Sequence, residues 1–330
     1  MSPLIIAVIG LALGFDFLNG IHDSSNIVAT VISSRALPPR FALGMTAIAE
    51  FSGPLIFGVA VAKTIGHEVV AAKAINLQVL LAALVSAILW NLLTWYLGFP
   101  SSSSHALVGG FIGAVVMGAG WKAVQIPGVM KILIALFTSP FIGFVFGLAV
   151  LRLITHLSWN AKPRINGFFK RSQVVTTLAL ALSHGANDAQ KTMGIITLAL
   201  VTGGYLSTFE VPLWVIILSG GMIALGTSVG GWRLIRTLGR KFYKIRPMDA
   251  FASQVASAVV ILTASLFGGP VSTTQVVSTT IMGVGAADRV NKVRWTVAQE
   301  IATAWLLTIP ASALAAAGIF WVLIQAFPVG

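Results

Sequence analysis

Asn19-Gly20-Ile21-His22-Asp23-Ser24-Ser25-Asn26 and His184-Gly185-Ala186-Asn187-Asp188-Ala189-Gln190-Lys191 are the two stretches whose comparison decides how this chain is built. Aligned, they set Asp23 on Asp188. Further on, Pro100-Ser101-Ser102-Ser103-Ser104-His105 lines up with Pro270-Val271-Ser272-Thr273-Thr274-Gln275. The two motifs recur at separations of 165 and 170 residues. A nearly constant offset between independent motifs predicts a duplication that covers most of the chain.

Around these motifs the chain is written for lipid. Of 330 residues, 57% are hydrophobic and 9% are charged, whereas a soluble domain carries about a quarter charged residues. The mean hydropathy is +0.93, which excludes a water-soluble globule of this size. Apolar runs give ten segments, roughly 3–32, 41–62, 75–98, 101–120, 128–152, 172–201, 212–235, 250–268, 271–286 and 295–325. The first begins at Pro3 with no basic leader and no small-residue cleavage site, so it reads as a retained helix. Almost no polar linker separates the runs that flank Pro100 and Pro270. Each pair is expected to form a re-entrant hairpin, permitted at membrane depth only where its tip is buried in protein or lines a cavity.

The formal charge of +12 does not point to nucleic acid, because the basic residues lie between apolar runs without interleaved aromatics. Arg152, Lys162, Arg164, Lys170 and Arg171 fall in one loop region, and Arg233, Arg236, Arg240, Lys241, Lys244 and Arg246 in another. The positive-inside rule puts loops 153–171 and 233–246 in the cytoplasm of a multi-pass cell-membrane protein. Lys63, Lys73, Lys122 and Lys131 then fall outside. Three crossings and a hairpin per half make the halves inverted. The expected fold is therefore an all-α polytopic membrane protein with two inverted-topology repeats, 1–152 and 172–330, joined by a short basic linker, 153–171. Each repeat is expected to hold a broken first helix and a re-entrant helical hairpin. Cysteine is absent, which removes disulfides and thiolate metal sites.

Acids at membrane depth are costly unless paired or hydrated, so Asp23, Glu50 and Asp188 are candidates for function, with Asp16 and Glu300 behind them. Gly20 and Gly185 are expected to let the first helix of each half break and bare its carbonyls beside the aspartates. Carboxylate, amide and carbonyl oxygens suit a hard cation such as sodium. Asp23 and Asn26, at i and i+3, share a helix face. The corresponding pair in the second half is Asp188 and Lys191, whose ammonium can neutralise the acid or reach an anion. After each Pro, Ser102, Ser103 and Ser104 with His105, and Ser272, Thr273 and Thr274 with Gln275, open what read as half-helices. Their free amides and positive dipole ends form an anion-binding device, unless the hydroxyls only cap the helices. His22, His105 and His184 have no helical metal spacing among themselves. Nucleophile-elbow, Walker and Rossmann signatures are missing, so no enzyme and no cofactor are expected.

Over nearly the whole chain these motifs resemble the PiT family of inorganic phosphate transporters. Its paired G-A-N-D signature stands intact at Gly185-Ala186-Asn187-Asp188 and in variant form at Gly20-Ile21-His22-Asp23. Its P-x-S-T-T/G-H element is similar to Pro100 to His105 and Pro270 to Gln275. The resemblance implies phosphate as substrate, coupled to sodium in some members and to protons, with metal-phosphate, in others. It implies essential roles for Asp23 and Asp188, places Glu50 and His184 at family positions, and adds Asn187 and Gln190 from the second motif. Gln254 stands where many members have a glutamate. The expected activity is secondary import of inorganic phosphate with sodium bound at Asp23 and Asp188, His22, His184 and Lys191 assisting. Proton coupling and another tetrahedral oxyanion, such as sulfate, are the alternatives. A homodimer would give the moving hairpins a fixed scaffold.

Overall fold

The computed structural model describes residues 2–67, 76–99, 101–240 and 244–326. Pro100, Lys73 and Lys241, used above for a chain break and for charge placement, lie outside the described residues. The described residues form twelve α-helices: α1 Pro3–Ser33, α2 Pro39–Phe57, α3 Ala60–His67, α4 Leu77–Leu97, α5 Ser103–Ala119, α6 Ile126–Leu157, α7 Ile165–Thr202, α8 Leu213–Val229, α9 Trp232–Arg240, α10 Pro247–Leu266, α11 Thr273–Asp288 and α12 Trp295–Ala326. Single 3₁₀ turns, Trp121–Ala123 and Val290–Lys292, precede α6 and α12. The order of α1 to α6 is thus repeated by α7 to α12. Five helices are long and apolar enough to cross a bilayer, and α2 with α3 supplies a sixth span bent by 77°.

Packing repeats with the order. α1 lies on α8 as α7 lies on α2, α1 touches α9 as α7 touches α3, and α2 meets α8 on the axis between the halves. The last helix of each half serves the hairpin of the other: α6 packs on α11, and α12 packs on α5. Apolar composition decides which helices face outward. α6 presents Ile134, Phe137, Phe141, Ile142, Val145 and Phe146 to the surroundings, whereas α1 buries Asn19, His22, Asp23, Ser24, Ser25, Asn26 and Thr30. Polar side chains gather at the centre because hydrocarbon offers them no partner.

One expectation is corrected here. The first helix of each half is not broken: α1 and α7 run continuously through Gly20 and Gly185. These glycines instead let helices touch. A Cβ on Gly20 would collide with the Ile223 carbonyl of α8, and one on Gly185 with the Glu50 carbonyl of α2. The break falls in the next helix of each half, at Gly58 (φ 81°) and Gly230 (φ 79°), in a conformation that favours glycine. The linker 153–171 is mostly helical, since α6 runs to Leu157 and α7 starts at Ile165.

At the outer end of the second hairpin, Asp249 accepts bonds from Arg246 (3.1 Å) and Lys292 (3.1 Å), and Asp288 pairs with the same two cations. Burial pushes the Asp288 carboxyl up, but Lys292 and Arg246 outweigh it and hold the group below its ordinary range.

Candidate functional site

The tips of both hairpins meet the middles of α1 and α7. Ser102 and Ser272 are the N-caps of α5 and α11; each hydroxyl accepts from the backbone amide three residues on, His105 N at 3.1 Å and Gln275 N at 3.3 Å. This satisfies one orphan amide per helix and fixes the direction in which each half-helix points. The next residues reach across. Ser103 Oγ donates to Asp23 Oδ2 (3.4 Å) and Thr273 Oγ1 donates to Asp188 Oδ2 (3.0 Å). Thr274 Oγ1 donates to Asp23 Oδ1 (3.0 Å), while Ser104 Oγ donates to the Val271 carbonyl of the opposite tip (3.2 Å). His105 and Gln275, equivalent positions of the two tips, face each other at 3.4 Å.

On the helix side the same two-fold pattern holds. Asn26 donates to Asp23 Oδ1 (3.0 Å) and to Thr274 Oγ1 (2.9 Å). Lys191 donates to Asp188 Oδ1 (2.6 Å) and to Ser104 Oγ (2.5 Å), and adds the Val271 carbonyl (3.1 Å). His22 Nδ1 lies 2.9 Å from Asp23 Oδ1. His184 bridges the halves: Nδ1 lies 2.6 Å from Glu50 Oε1, and Nε2 lies 3.3 Å from Asp188 Oδ2 and 3.9 Å from Asp23 Oδ2. Ligand atoms of Asp23, His184 and Asp188 fall within 4.8 Å of one another. All of these groups are buried. Three carboxylates, of Asp23, Asp188 and Glu50, are thus gathered here with one lysine ammonium, and that one pairs with Asp188. Additional positive charge, from a mobile cation or from protons on the histidines, is what such a cluster requires.

The structure brings the expected aspartates and tip hydroxyls together, but three of the candidate residues go elsewhere. The Gln190 side chain is spent on the α2–α3 bend, accepting from Val61 N (2.7 Å) and Ala62 N (3.2 Å) and donating to the Gly58 and Ala186 carbonyls (2.6 and 2.5 Å). Residues i and i+2 do not share a helix face, so Gln190 cannot point with Asp188. Asn187 holds the turn of the second hairpin through Ser265 Oγ (2.9 Å) and the Gly269 carbonyl (3.2 Å). Gln254 joins α7 to α1 by way of Thr176 (2.5 Å) and Thr30 (2.9 Å). Thr30 is seven residues beyond Asp23, a rise of about 10 Å. Glu300 lies exposed near the start of α12. The residue that sequence reasoning missed is Asn19, whose amide donates to Asp188 Oδ2 at 3.4 Å. Its signal was the spacing: it stands four residues before Asp23, as His184 stands four before Asp188.

Residues 19–316 match the model of a group described as the phosphate transporter family. The chain belongs to that family. Among relatives, a "probable low-affinity inorganic phosphate transporter" of Rhizobium meliloti (strain 1021) is 44% identical over 317 residues, covering 96% of this chain and 95% of that protein. One of the same description from Bacillus subtilis (strain 168) is 43% identical, with 98% of both covered. Among solved structures, one described as "The sodium-dependent phosphate transporter" shares the fold at a TM-score of 0.90 and 24% identity, covering 98% of this chain and all of its own. Membership makes the chain a phosphate transporter embedded in a membrane by several spans, and not an enzyme.

Proposed function

We propose that this chain is a secondary active transporter that imports inorganic phosphate coupled to sodium, working through two inverted-topology repeats in the cell membrane. The observation that carries the coupling is the excess of carboxylates over fixed cations at the hairpin tips. Phosphate brings more negative charge to a cluster that gathers Asp23, Asp188 and Glu50 and whose one ammonium, Lys191, pairs with Asp188. Without added cations that approach is repulsive in a medium of low dielectric. Sodium beside Asp23, within reach of Asp188 and His184, removes the repulsion. Each ion then raises the affinity for the other. The structural neighbour, a sodium-dependent phosphate transporter, agrees with this choice of ion.

The tip hydroxyls supply the substrate site. Ser103, Thr273 and Thr274 now donate to the aspartates. When sodium takes over the carboxylate oxygens, these donors are released to phosphate, which sits between the half-helix N-termini with Lys191 at its side. Ser102 and Ser272 stay as caps. The hairpins swing with the wall helices α12 and α6 that cover them, while α1, α2, α7 and α8 form the scaffold. The basic ends of α6 and α7 and the basic helix α9 face the cytoplasm.

Radiolabelled phosphate uptake into liposomes with the purified protein tests the reading, driven in one arm by a sodium gradient and in the other by a pH gradient. Sodium-driven accumulation is the expected result. Accumulation driven by the pH gradient alone would move the coupling to protons, and none in either arm would overturn coupled transport.

A further inference from the structure

One fully buried acid takes part neither in the cluster at the tips nor in an ion pair among the described residues. Asp16 lies on α1, seven residues before Asp23, where α1 meets α7 and α8. Its Oδ1 accepts a 2.6 Å bond from Thr192 Oγ1 of α7. Its Oδ2 lies beside the hydroxyl of Ser219 on α8, and neither atom has any other hydrogen-bond partner. No cation contacts the carboxyl in the described residues: the charged groups that face it are Asp188 and Lys191 of α7. Lys191 is committed to Asp188, Ser104 and the Val271 carbonyl. The other elements packed on α1 add nothing. α8 holds no titratable residue, α4 holds only Tyr96 at its far end, and Glu50 of α2 is engaged by His184. Arg233 and Arg236 of α9 are exposed, and Asp249 of α10 and Asp288 of α11 lie in the ion-pair network at the hairpin's outer end.

The second half has no such site. Gly20 sits against Ile223 as Gly185 sits against Glu50, and carrying that correspondence along the helices sets Asp16 on Ala181, Thr192 on Ile27 and Ser219 on Thr46. Two of those three mates are apolar. The third, Thr46, bonds back to the Ala42 and Leu43 carbonyls of its own helix (2.8 and 3.0 Å). The acid and its hydroxyls are therefore an addition to one half and not part of the repeated scaffold.

A bare carboxylate in this place would cost several kcal/mol, so something must neutralise it. A hard cation is a poor candidate. α1 and α7 are continuous here, their carbonyls are used in helical bonds, and one carboxylate oxygen with two hydroxyls is far fewer ligands than such an ion gathers. A proton needs only one acceptor. Placed on Oδ2 it makes Asp16 a donor to Ser219 Oγ, while Oδ1 continues to accept from Thr192.

We propose that Asp16 is a proton-binding site of this transporter, protonated in the arrangement described here and ionised when the movement of the hairpins lets water reach it. This rests on the transport reading for its purpose. Protonated, Asp16 leaves Lys191 wholly to Asp188 and the tips, which stay locked. Ionised, it competes with Asp188 for the same ammonium and weakens the Lys191 bonds to Ser104 and Val271. The proton thus favours the locked tips, and its departure favours their release.

Phosphate itself changes charge near neutral pH, so the test reads the acid directly. Infrared spectra of the purified protein at neutral pH are expected to contain the carbonyl band of a protonated carboxylic acid. Asp16→Asn removes that band, Ser219→Ala shifts it by deleting its hydrogen-bond acceptor, and Asp23→Asn leaves it in place. A wild-type spectrum without the band, or a band that persists in Asp16→Asn or ignores Ser219→Ala, overturns the proposal. Should Asp16→Asn fail to fold, the Ser219→Ala shift decides alone. Failure of phosphate uptake under both the sodium and the pH gradient would sink the transport reading and leave the infrared result standing by itself.

Discussion

The two halves of the site are built alike and charged differently. In each, the residue three places after the aspartate bonds both that aspartate and a hydroxyl of the opposite hairpin: Asn26 with Asp23 and Thr274, Lys191 with Asp188 and Ser104. The amide is neutral and the ammonium is not. Asp188 therefore has its counter-charge on the chain, whereas Asp23 is met by an amide, two hydroxyls and the His22 ring. A symmetric pair of sodium sites does not follow from such a centre. Under the proposed coupling, the fixed cation belongs to the second half and the exchangeable one to the first.

The largest effect that would break this contrast comes from the acids. Asp23→Asn and Asp188→Asn are each expected to lower sodium-driven phosphate uptake at least about 100-fold, the scale of stripping a charge from a buried pair. They should differ in stability: Asp188→Asn leaves the Lys191 ammonium unpaired and melts at lower temperature in detergent, while Asp23→Asn relieves an uncompensated acid. Equal melting temperatures would contradict the assignment of charges.

Lys191→Asn makes the halves alike. It is expected to weaken apparent phosphate affinity about tenfold and to add a cation to the transport stoichiometry, because one fixed charge must be replaced by a mobile one. Reversal of the driving ion gradient against a phosphate gradient measures that ratio. An unchanged ratio would mean that Lys191 does not stand in for a cation.

Close helix approach offers an intermediate effect, the same in both halves. Gly20→Ala and Gly185→Ala each drive a methyl into a facing carbonyl and should cost about 1–3 kcal/mol in denaturant unfolding. A far smaller loss for one of them would show that its helix pair can part. The smallest effect belongs to the caps. Ser102→Ala and Ser272→Ala are each expected to cost about 1 kcal/mol and to leave phosphate affinity within a few-fold. A large loss of affinity would move those hydroxyls from capping to substrate.

Much of this was legible in the chain itself. The ten apolar segments each find their helix, although α7 starts at Ile165 and α6 runs on to Leu157, both into the basic stretch, and two segments bend, at Gly58 and Gly230, into α2 with α3 and α8 with α9. The paired motifs named both aspartates and the tip hydroxyls. What escaped has a common cause. A glycine within a polar motif can break its own helix or admit another, and the partner that decides, Ile223 for Gly20, lies about 200 residues away. Gln190 and Asn187 share a motif with Asp188 but not its helix face. Asp16 looked like a lesser acid because its meaning depends on Thr192 and Ser219, which no local pattern joins to it.

The exchange of wall helices, α12 against α5 and α6 against α11, has a consequence for biosynthesis. When the ribosome has just finished α5, the helix that must cover it is still some 190 residues from being made. At 5–20 residues per second that is roughly 10–40 s. For the first part of that interval a serine-rich tip meant for the protein's centre has only neighbours from its own half, and its covering helix α12 is the last element to arrive. The second hairpin has no such wait, since α6 is already in the membrane when α11 arrives. The vulnerable moment in making this protein falls early, and truncations that remove α12 should be cleared by quality control even though every residue of the first half is present.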